Sequence, residues 1–152
     1  MILHGIFDSK FFDHLKEKKP KKVFVLEGRP SLESSRHCCR ELLKRNIQPT
    51  LIADNMAGFL FNKGLIHEVG TTYQDVKNQD ALCQIGSLIL AVLGKKHRVP
   101  VYCYPSLVKQ KLEGTLKDIC YFNNVRVAPG GIKGYVPFLE WVPQKYITKI
   151  MR

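Results

Sequence analysis

Short apolar runs alternate with helix-like stretches along this chain. The run from Val23 to Leu26 stops at a Glu-Gly-Arg-Pro turn, and a second run, from Thr50 to Ala53, ends at Asp54. The segment between them, about 32–45, places apolar or small residues at helical spacing and charged residues on the opposite face. The order of strand, helix and strand predicts one βαβ unit.

Capping residues and helix breakers indicate the remaining elements. Asp8, Ser31 and Asp80 are residue types that cap helix N-termini, and Pro143 suits a first helical position. The pattern predicts helices over about 8–18, 32–45, 56–61, 80–96, 107–117 and 143–151, strands over 22–26, 49–53, 66–70, 99–104 and 121–128, and loops over 71–79 and 129–134.

Strands that alternate with helices of about 10–15 residues are typical of parallel sheets. The chain therefore predicts an α/β fold, a Rossmann-like doubly wound parallel sheet. Its 152 residues fit a single domain, and no repeat or linker divides them. In the longest predicted helix, the residues expected to face the core are Leu82, Ile85, Ile89, Val92 and Leu93.

The chain is basic, with a net charge of +11. No apolar run approaches the roughly 18–20 residues that span a bilayer, and no signal peptide opens the sequence, so we expect a cytoplasmic protein without membrane contact. Because no aromatic residues are interleaved with the cations, a solvated basic face or a patch for an acidic neighbour is favoured over a nucleic-acid surface, which stays an alternative. The densest cations are Lys10, Lys16, Lys18, Lys19, Lys21 and Lys22.

Cofactor and metal signatures are missing from the sequence. The five cysteines form no C-x-x-C pair, which favours reduced thiols over a zinc site or a disulfide framework. Neither G-x-G-x-x-G nor G-x-x-x-x-G-K-[ST] follows the first predicted strand. No histidine stands at a catalytic spacing from a serine or carboxylate. We therefore expect neither a metal nor a cofactor.

The turn after the first predicted strand is the candidate ligand site. Ligands of open parallel sheets bind beyond the carboxyl ends of the strands, where Glu27, Arg29 and Asp54 are expected. Arg29 would hold a phosphate or carboxylate with its planar fork, or pair with Glu27 to shape the turn. Asp54 would bind a ligand hydroxyl, or cap the next helix together with Asn55.

Four short blocks, in order over about 125 residues, resemble the C-terminal domain of one superfamily. Its branches are the regulatory subunits (alpha, beta and delta) of eukaryotic translation initiation factor 2B and two sugar-phosphate aldose–ketose isomerases, methylthioribose-1-phosphate isomerase and ribose-1,5-bisphosphate isomerase. The resemblance implies a Rossmann-like domain that usually dimerises. The blocks are VFVLEGRP at 23–30, TLIADNMA at 50–57, IGS to HRVPVY over 85–102, and VPFLEWVP to YIT over 136–148.

The chain departs from this resemblance where the isomerases carry catalytic groups. Their aspartate stands in a Gly-Ala-Asp-Arg stretch, and counting back from the Ile-Gly of the third block without a gap places Tyr73 there. Their phosphate-binding Asn-Lys pair becomes Cys83-Gln84. As we interpret the resemblance, the catalytic cysteine and further arginines belong to an N-terminal half for which this chain has no room, so we expect no catalytic residue here.

These departures favour a non-catalytic protein similar to the initiation factor 2B subunits, which acts through subunit or partner binding as a homodimer or hetero-oligomer. The alternative is a sugar-phosphate- or nucleotide-binding protein, including a divergent aldose–ketose isomerase. The candidate ligand-binding residues for that alternative are Glu27, Arg29, Asp54, Tyr73, Cys83 and Gln84.

Overall fold

A mixed sheet of eight strands, with helices on both faces, forms the centre of the computed structural model, which describes residues 1–152. A separate two-stranded hairpin lies outside it. The helices are α1 (Ser9–Lys18), α2 (Glu33–Lys44), α3 (Ala57–Asn62), α4 (Ser87–His97) and α5 (Leu116–Cys120). The strands are β1 (Ile2–His4), β2 (Val23–Leu26), β3 (Pro49–Ile52), β4 (Val69–Lys77), β5 (Asp80–Gln84), β6 (Val101–Pro105), β7 (Tyr121–Phe122), β8 (Val125–Arg126), β9 (Leu139–Val142) and β10 (Lys149–Ile150).

Six strands run parallel in the order β10-β6-β4-β1-β2-β3. The chain moves outward from β1 through β2 to β3, and then returns to place β4 on the other side of β1. The strand order therefore reverses between β1 and β4, and such a reversal opens a crevice at the carboxyl ends of the strands. Antiparallel β5 and β9 extend the sheet from the far half of β4, a departure from the all-parallel prediction.

Two apolar clusters fill the two faces of the sheet. Leu3 of β1 packs with Phe12 of α1 and Leu42 of α2. Its neighbour Ile2 packs on the other face, with Leu60 of α3 and Leu90 of α4. Alternate side chains of a strand point to opposite faces, so β1 and β2 are buried on both sides and their residues are apolar except for His4 at the end of β1.

The predicted βαβ unit is confirmed as β2, α2 and β3. Asp8 caps α1 as predicted, since its Oδ1 accepts the backbone N–H of Phe11 at 2.8 Å. The cap predicted at Ser31 is wrong: Leu32, with a φ of 60°, occupies the cap position of α2 and no side chain caps it. The central strand β1 was not predicted, because three residues are too few for a periodic pattern.

The predicted loop over 71–79 and the helix start at Asp80 are both wrong. These residues form the β4–β5 hairpin, and α4 begins only at Ser87. The turn residues Asn78 and Gln79 both have positive φ, at 52° and 69°, which is the backbone of a tight two-residue hairpin. The stretch is rich in polar residues because the outer half of the hairpin is exposed to solvent.

Three other predicted elements differ from the structure. The expected helix at 107–117 is absent and only α5 forms in that region, the strand at 121–128 is the short β7–β8 hairpin, and the helix at 143–151 is a 3-10 turn followed by β10.

In α4 the buried face carries Leu90, Ala91 and Gly94, whereas Ile89 and Val92 are exposed, contrary to the prediction. None of the helices has the length and apolar character that a membrane crossing requires.

Candidate functional site

Asp54 fixes the turn that follows β2. Its Oδ1 accepts the backbone N–H of Gly28 at 2.9 Å, and its Oδ2 accepts that of Arg29 at 2.8 Å. The 3-10 turn that begins at Asp54 has no side-chain cap, so the helix-cap interpretation of this residue is wrong. The Asp54 side chain instead links the end of β3 to the end of β2, as expected for parallel strands whose carboxyl ends lie at the same edge of the sheet.

The guanidinium of Arg29 points at the chain between β6 and β9. Its Nη1 donates to the Tyr121 carbonyl at 3.0 Å and its Nη2 to the Ile119 carbonyl at 3.1 Å. It also lies over the Phe122 ring, 5.3 Å from the centroid. Arg29 therefore holds α5 and β7 against the turn, and its donors are directed to these carbonyls rather than to Glu27.

Gln84 joins the same turn from β5. Its Nε2 lies 3.3 Å from the Ser34 Oγ at the start of α2. Gly28 fits between the two, since a Cβ there would lie 2.1 Å from the Ser34 Oγ and 3.3 Å from the Gln84 Nε2, and its φ is +72°. Only glycine combines this space with this backbone conformation. The structure thus places Gln84 and Asp54 around the turn that contains Arg29, and a ligand-binding role for these residues stays a prediction.

Tyr73 and Cys83 lie apart from this turn. They face each other across the β4–β5 pair, and the Tyr73 hydroxyl donates to the Met151 carbonyl at 2.8 Å. Cys83 is fully buried, and its pKa is raised by a hydrogen bond with Cys103 and by desolvation, so its thiol stays protonated. No group of three histidine, cysteine or acidic side chains is arranged to hold a metal ion.

His4 is a buried polar residue that sequence reasoning missed. Its Nε2 lies 2.7 Å from the Ile85 carbonyl. Because a carbonyl only accepts, that nitrogen carries the proton and the opposite nitrogen, Nδ1, is a bare acceptor with no partner. Desolvation lowers the pKa of His4, although the Ile85 carbonyl and the charges of Asp54 and Glu140 act in the opposite direction. The sequence did not identify His4 as a buried residue, because the strand that contains it, β1, was not predicted.

Glu140 caps α4 from a distant strand. Its Oε1 accepts the backbone N–H of Gly86 at 2.7 Å and that of Leu88 at 2.9 Å. A carboxylate at this end of a helix satisfies unpaired donors and complements the positive end of the helix dipole. Next to it, the hydroxyls of Thr71 and Ser87 lie 2.6 Å apart in the buried interior. The sequence does not indicate that Glu140 caps α4, because 52 residues separate it from Leu88.

A basic cleft of about 560 Å³ opens at the reversal of strand order. One wall is the first half of α2, with Glu33, Arg36 and Arg40, and the other is the chain after β6, with Lys109 and Lys111. This cleft is hereafter the switch-point cleft. Ile6, just after β1, lies at its base. The sequence contains a partial indication of this cleft, because Arg36 and Arg40 are four residues apart and therefore share one face of the helix.

Glu33 is held in place across the switch-point cleft. The Nε2 of Gln110 donates to its Oε2 at 3.1 Å, and the backbone N–H of Gln110 donates to the Gln74 Oε1 at 2.8 Å. On the same wall, the His37 Nε2 lies 2.7 Å from the Phe7 carbonyl. These contacts position both walls and leave Arg36 and Arg40 free of ion pairs.

Curated proteins with similar sequences include several named methylthioribose-1-phosphate isomerase. The chain is 35% identical over 145 residues to methylthioribose-1-phosphate isomerase of Syntrophus aciditrophicus, an alignment that covers 88% of this chain and 40% of that protein. It is 33% identical over 142 residues to the Acetivibrio thermocellus protein of the same name, and this alignment covers 86% of this chain and 42% of that protein. The chain therefore spans well under half the length of these curated relatives.

Two solved structures share the fold. The initiation factor eIF-2B subunit delta from A. fulgidus superposes with a TM-score of 0.84 at 22% identity, over 98% of this chain and 50% of that one. The 5-methylthioribose 1-phosphate isomerase from Pyrococcus horikoshii superposes with a TM-score of 0.82 at 23% identity, over 98% and 48% of the two chains. Residues 9–151 match the initiation factor 2 subunit family, and this chain belongs to that family.

Proposed function

We propose that this chain binds a phosphorylated sugar in the switch-point cleft, as the Rossmann-like half of an isomerase-like protein. The observation that carries this proposal is the placement of four cations, two arginines and two lysines, around a cleft of about 560 Å³ at the carboxyl edge of the sheet. Small-molecule sites of this fold class lie at that edge, and pockets of about 300–1,000 Å³ are usual for them.

The chemistry of the cleft suits a sugar phosphate. Arg36 and Arg40 present planar forks that bind phosphate oxygens in a bidentate manner, and Lys109 and Lys111 add point charges on the opposite wall. Glu33, which Gln110 holds in place, is a ready acceptor for sugar hydroxyls. A neutral sugar would leave the cations uncompensated, so the ligand must carry the negative charge.

The relatives named methylthioribose-1-phosphate isomerase favour a substrate of that class over a nucleotide. Two registers of the family's Gly-Ala-Asp-Arg stretch place either Tyr73 or, with Gly70 aligned to its glycine, Thr72 at the aspartate. Neither residue is a carboxylate that can transfer hydrogen between neighbouring sugar carbons. Ligand binding is therefore the part of the isomerase function that the residues of this chain support.

Calorimetric titration with methylthioribose 1-phosphate tests the proposal. The double substitution Arg36→Ala/Arg40→Ala should weaken binding by about 1.5–3 kcal/mol per charged hydrogen bond lost, at least roughly tenfold overall. Lys63→Ala, at the exposed end of α3, removes one charge away from the cleft and should leave the affinity unchanged. If the double variant bound as tightly as the parent chain, the ligand would lie elsewhere.

Subunit assembly is the second candidate function, and the outer face of α4 favours it. Ile89 is 62% exposed and Val92 is 41% exposed, and Phe59 of α3, a helix that packs against α4, is 58% exposed. A helix that is apolar on all sides is normally covered on all sides. The eIF-2B-like structures share this fold, and we propose that a second copy covers this face.

Light scattering tests this assembly directly. The parent chain should be a dimer at tens of micromolar, and Ile89→Lys should yield a folded monomer because it places a charge at the centre of the apolar face. Lys96→Glu, a charge change on the last turn of the same helix, serves as the control and should stay dimeric. A parent chain that is monomeric at these concentrations would exclude the second copy as the occupant.

A further inference from the structure

The amino edge of the sheet, opposite the switch-point cleft, gathers cations that are far apart in the sequence. Four of them, Lys16, Lys19, Lys21 and Lys22, line a cleft of about 410 Å³ where α1 leads into β2. Lys95 and Arg98, at the end of α4, line a second cleft of about 570 Å³ beside the start of β6. These six residues are hereafter the basic edge.

None of the six side chains is neutralised by the protein. All are exposed, and none forms an ion pair or a side-chain hydrogen bond. The neighbouring cations Lys44 and Arg45 behave differently, because they pair with Glu41 and with Asp13. Glu41 and Asp13 are therefore already paired, and Glu68, which lines a neighbouring cleft with Lys21 and Lys22, forms no ion pair with them, so the six side chains of the basic edge stay unpaired.

Helix dipoles do not account for so many cations. A helix C-terminus carries the equivalent of about half a negative charge, which one lysine in the last turn complements. Lys16 and Lys95 lie in such turns, but Lys21 and Lys22 lie beyond the end of α1. Lys16, Lys19, Lys21 and Lys22 are close in the sequence, and the sheet brings Lys95 and Arg98 to the same edge.

The basic edge is long enough to contact several phosphates of one nucleic-acid strand. Its two clefts lie at the starts of β2 and β6, which are separated by β1 and β4 in the sheet. Three strand spacings of about 4.8 Å amount to roughly 14 Å. Successive phosphates of one nucleic-acid strand lie about 3.4 Å apart along the helix axis, so the edge spans about four of them.

We propose that the basic edge binds the phosphate backbone of a nucleic-acid duplex without reading its sequence. The lysines and the arginine contact phosphates. No aromatic residue lines the cleft of Lys16 to Lys22, and Tyr146 alone lines the cleft of Lys95 and Arg98, which is too few for a base-stacking platform. Because this edge lies across the sheet from the switch-point cleft, both sites can be occupied at once. This binding is independent of the sugar-phosphate proposal.

Fluorescence anisotropy with a labelled 20-base-pair DNA duplex tests the proposal. The parent chain should bind at 50 mM salt, equally for unrelated sequences, and weaken steeply toward 200 mM salt. The variant Lys16→Gln/Lys19→Gln/Lys21→Gln/Lys22→Gln should bind about tenfold more weakly or worse, and its salt slope should fall by about one per lysine removed. Lys95→Gln/Arg98→Gln, at the other cleft, should weaken binding by about threefold or more.

A matched variant separates the basic edge from net charge alone. Lys10→Gln/Lys117→Gln/Arg126→Gln/Lys133→Gln removes the same four charges from exposed positions elsewhere and should keep the parent affinity within about twofold. Arg36→Ala/Arg40→Ala should likewise leave duplex binding intact, which distinguishes this site from the switch-point cleft. Equal losses in the matched variant, no effect of the Lys95 and Arg98 changes, or binding to phosphatidylserine vesicles but not to the duplex would overturn the proposal.

Discussion

At the scale of single residues, the candidate site depends on side chains that serve the backbone. Asp54 accepts two turn N–H groups, and Arg29 donates to two carbonyls of the segment that contains α5 and β7. The sequence predicts each residue either as a direct ligand, because its type suits phosphate or hydroxyl groups, or as a structural residue, with Arg29 paired to Glu27 and Asp54 capping a helix. Spacing along the chain cannot distinguish a residue that binds a ligand from one that holds a neighbouring loop, since both need the same donors and acceptors.

His4 gives the fold a pH dependence near neutrality. Burial lowers its pKa below the ordinary value of 6.5, so the unfolded state takes up a proton first as the pH falls. The contribution of neutral His4 to stability is therefore complete above pH 6.5 and declines below it. Urea unfolding between pH 7 and 5 should show this decline, and His4→Gln should reduce it. An equal pH dependence in both proteins would contradict the assignment.

At the scale of elements, the strongly patterned segments could be predicted and the ambiguous ones could not. β2, α2 and β3 were found because their apolar periods are clear and a turn separates them. The α4 prediction had the wrong start and the wrong buried face, because a helix that is apolar all round has no periodic signal that identifies its inner side. The β4–β5 hairpin was missed because a polar, half-exposed strand resembles a loop in composition.

The Glu140 cap couples α4 to β9. Its carboxylate satisfies two backbone N–H groups, so Glu140→Ala should lower the free energy of unfolding by about 1–2 kcal/mol, the range for loss of a helix cap. Glu140→Gln keeps an acceptor and should lose less. Chemical denaturation measures both values, with Glu113→Ala at an exposed position as the control. A loss no larger than that of the control would mean that the cap contributes nothing to stability.

At the scale of the whole molecule, the sheet separates two charged edges. The α/β fold class could be predicted, because strands and helices alternate clearly along the chain, and a ligand site at the carboxyl edge is an expectation that comes with that fold class. The composition of the switch-point cleft did not, because Arg36 and Lys109 come from segments more than 70 residues apart. In the basic edge, Lys16 to Lys22 are close in the sequence, but Lys95 and Arg98 reach the same edge of the sheet only in the folded chain. No short window of the sequence shows which distant segments the fold brings to one edge.

The central claim is that a sugar phosphate binds in the switch-point cleft. The most direct measurement is a titration of the isotopically labelled chain with methylthioribose 1-phosphate, followed by backbone amide chemical shifts. If the ligand binds in the switch-point cleft, the largest amide shifts should lie at Arg36, Arg40 and the chain from Lys109 to Lys111, while the amides of the basic edge are unaffected. Shifts confined to the turn at Glu27 to Pro30, or no shifts at millimolar ligand, would contradict it.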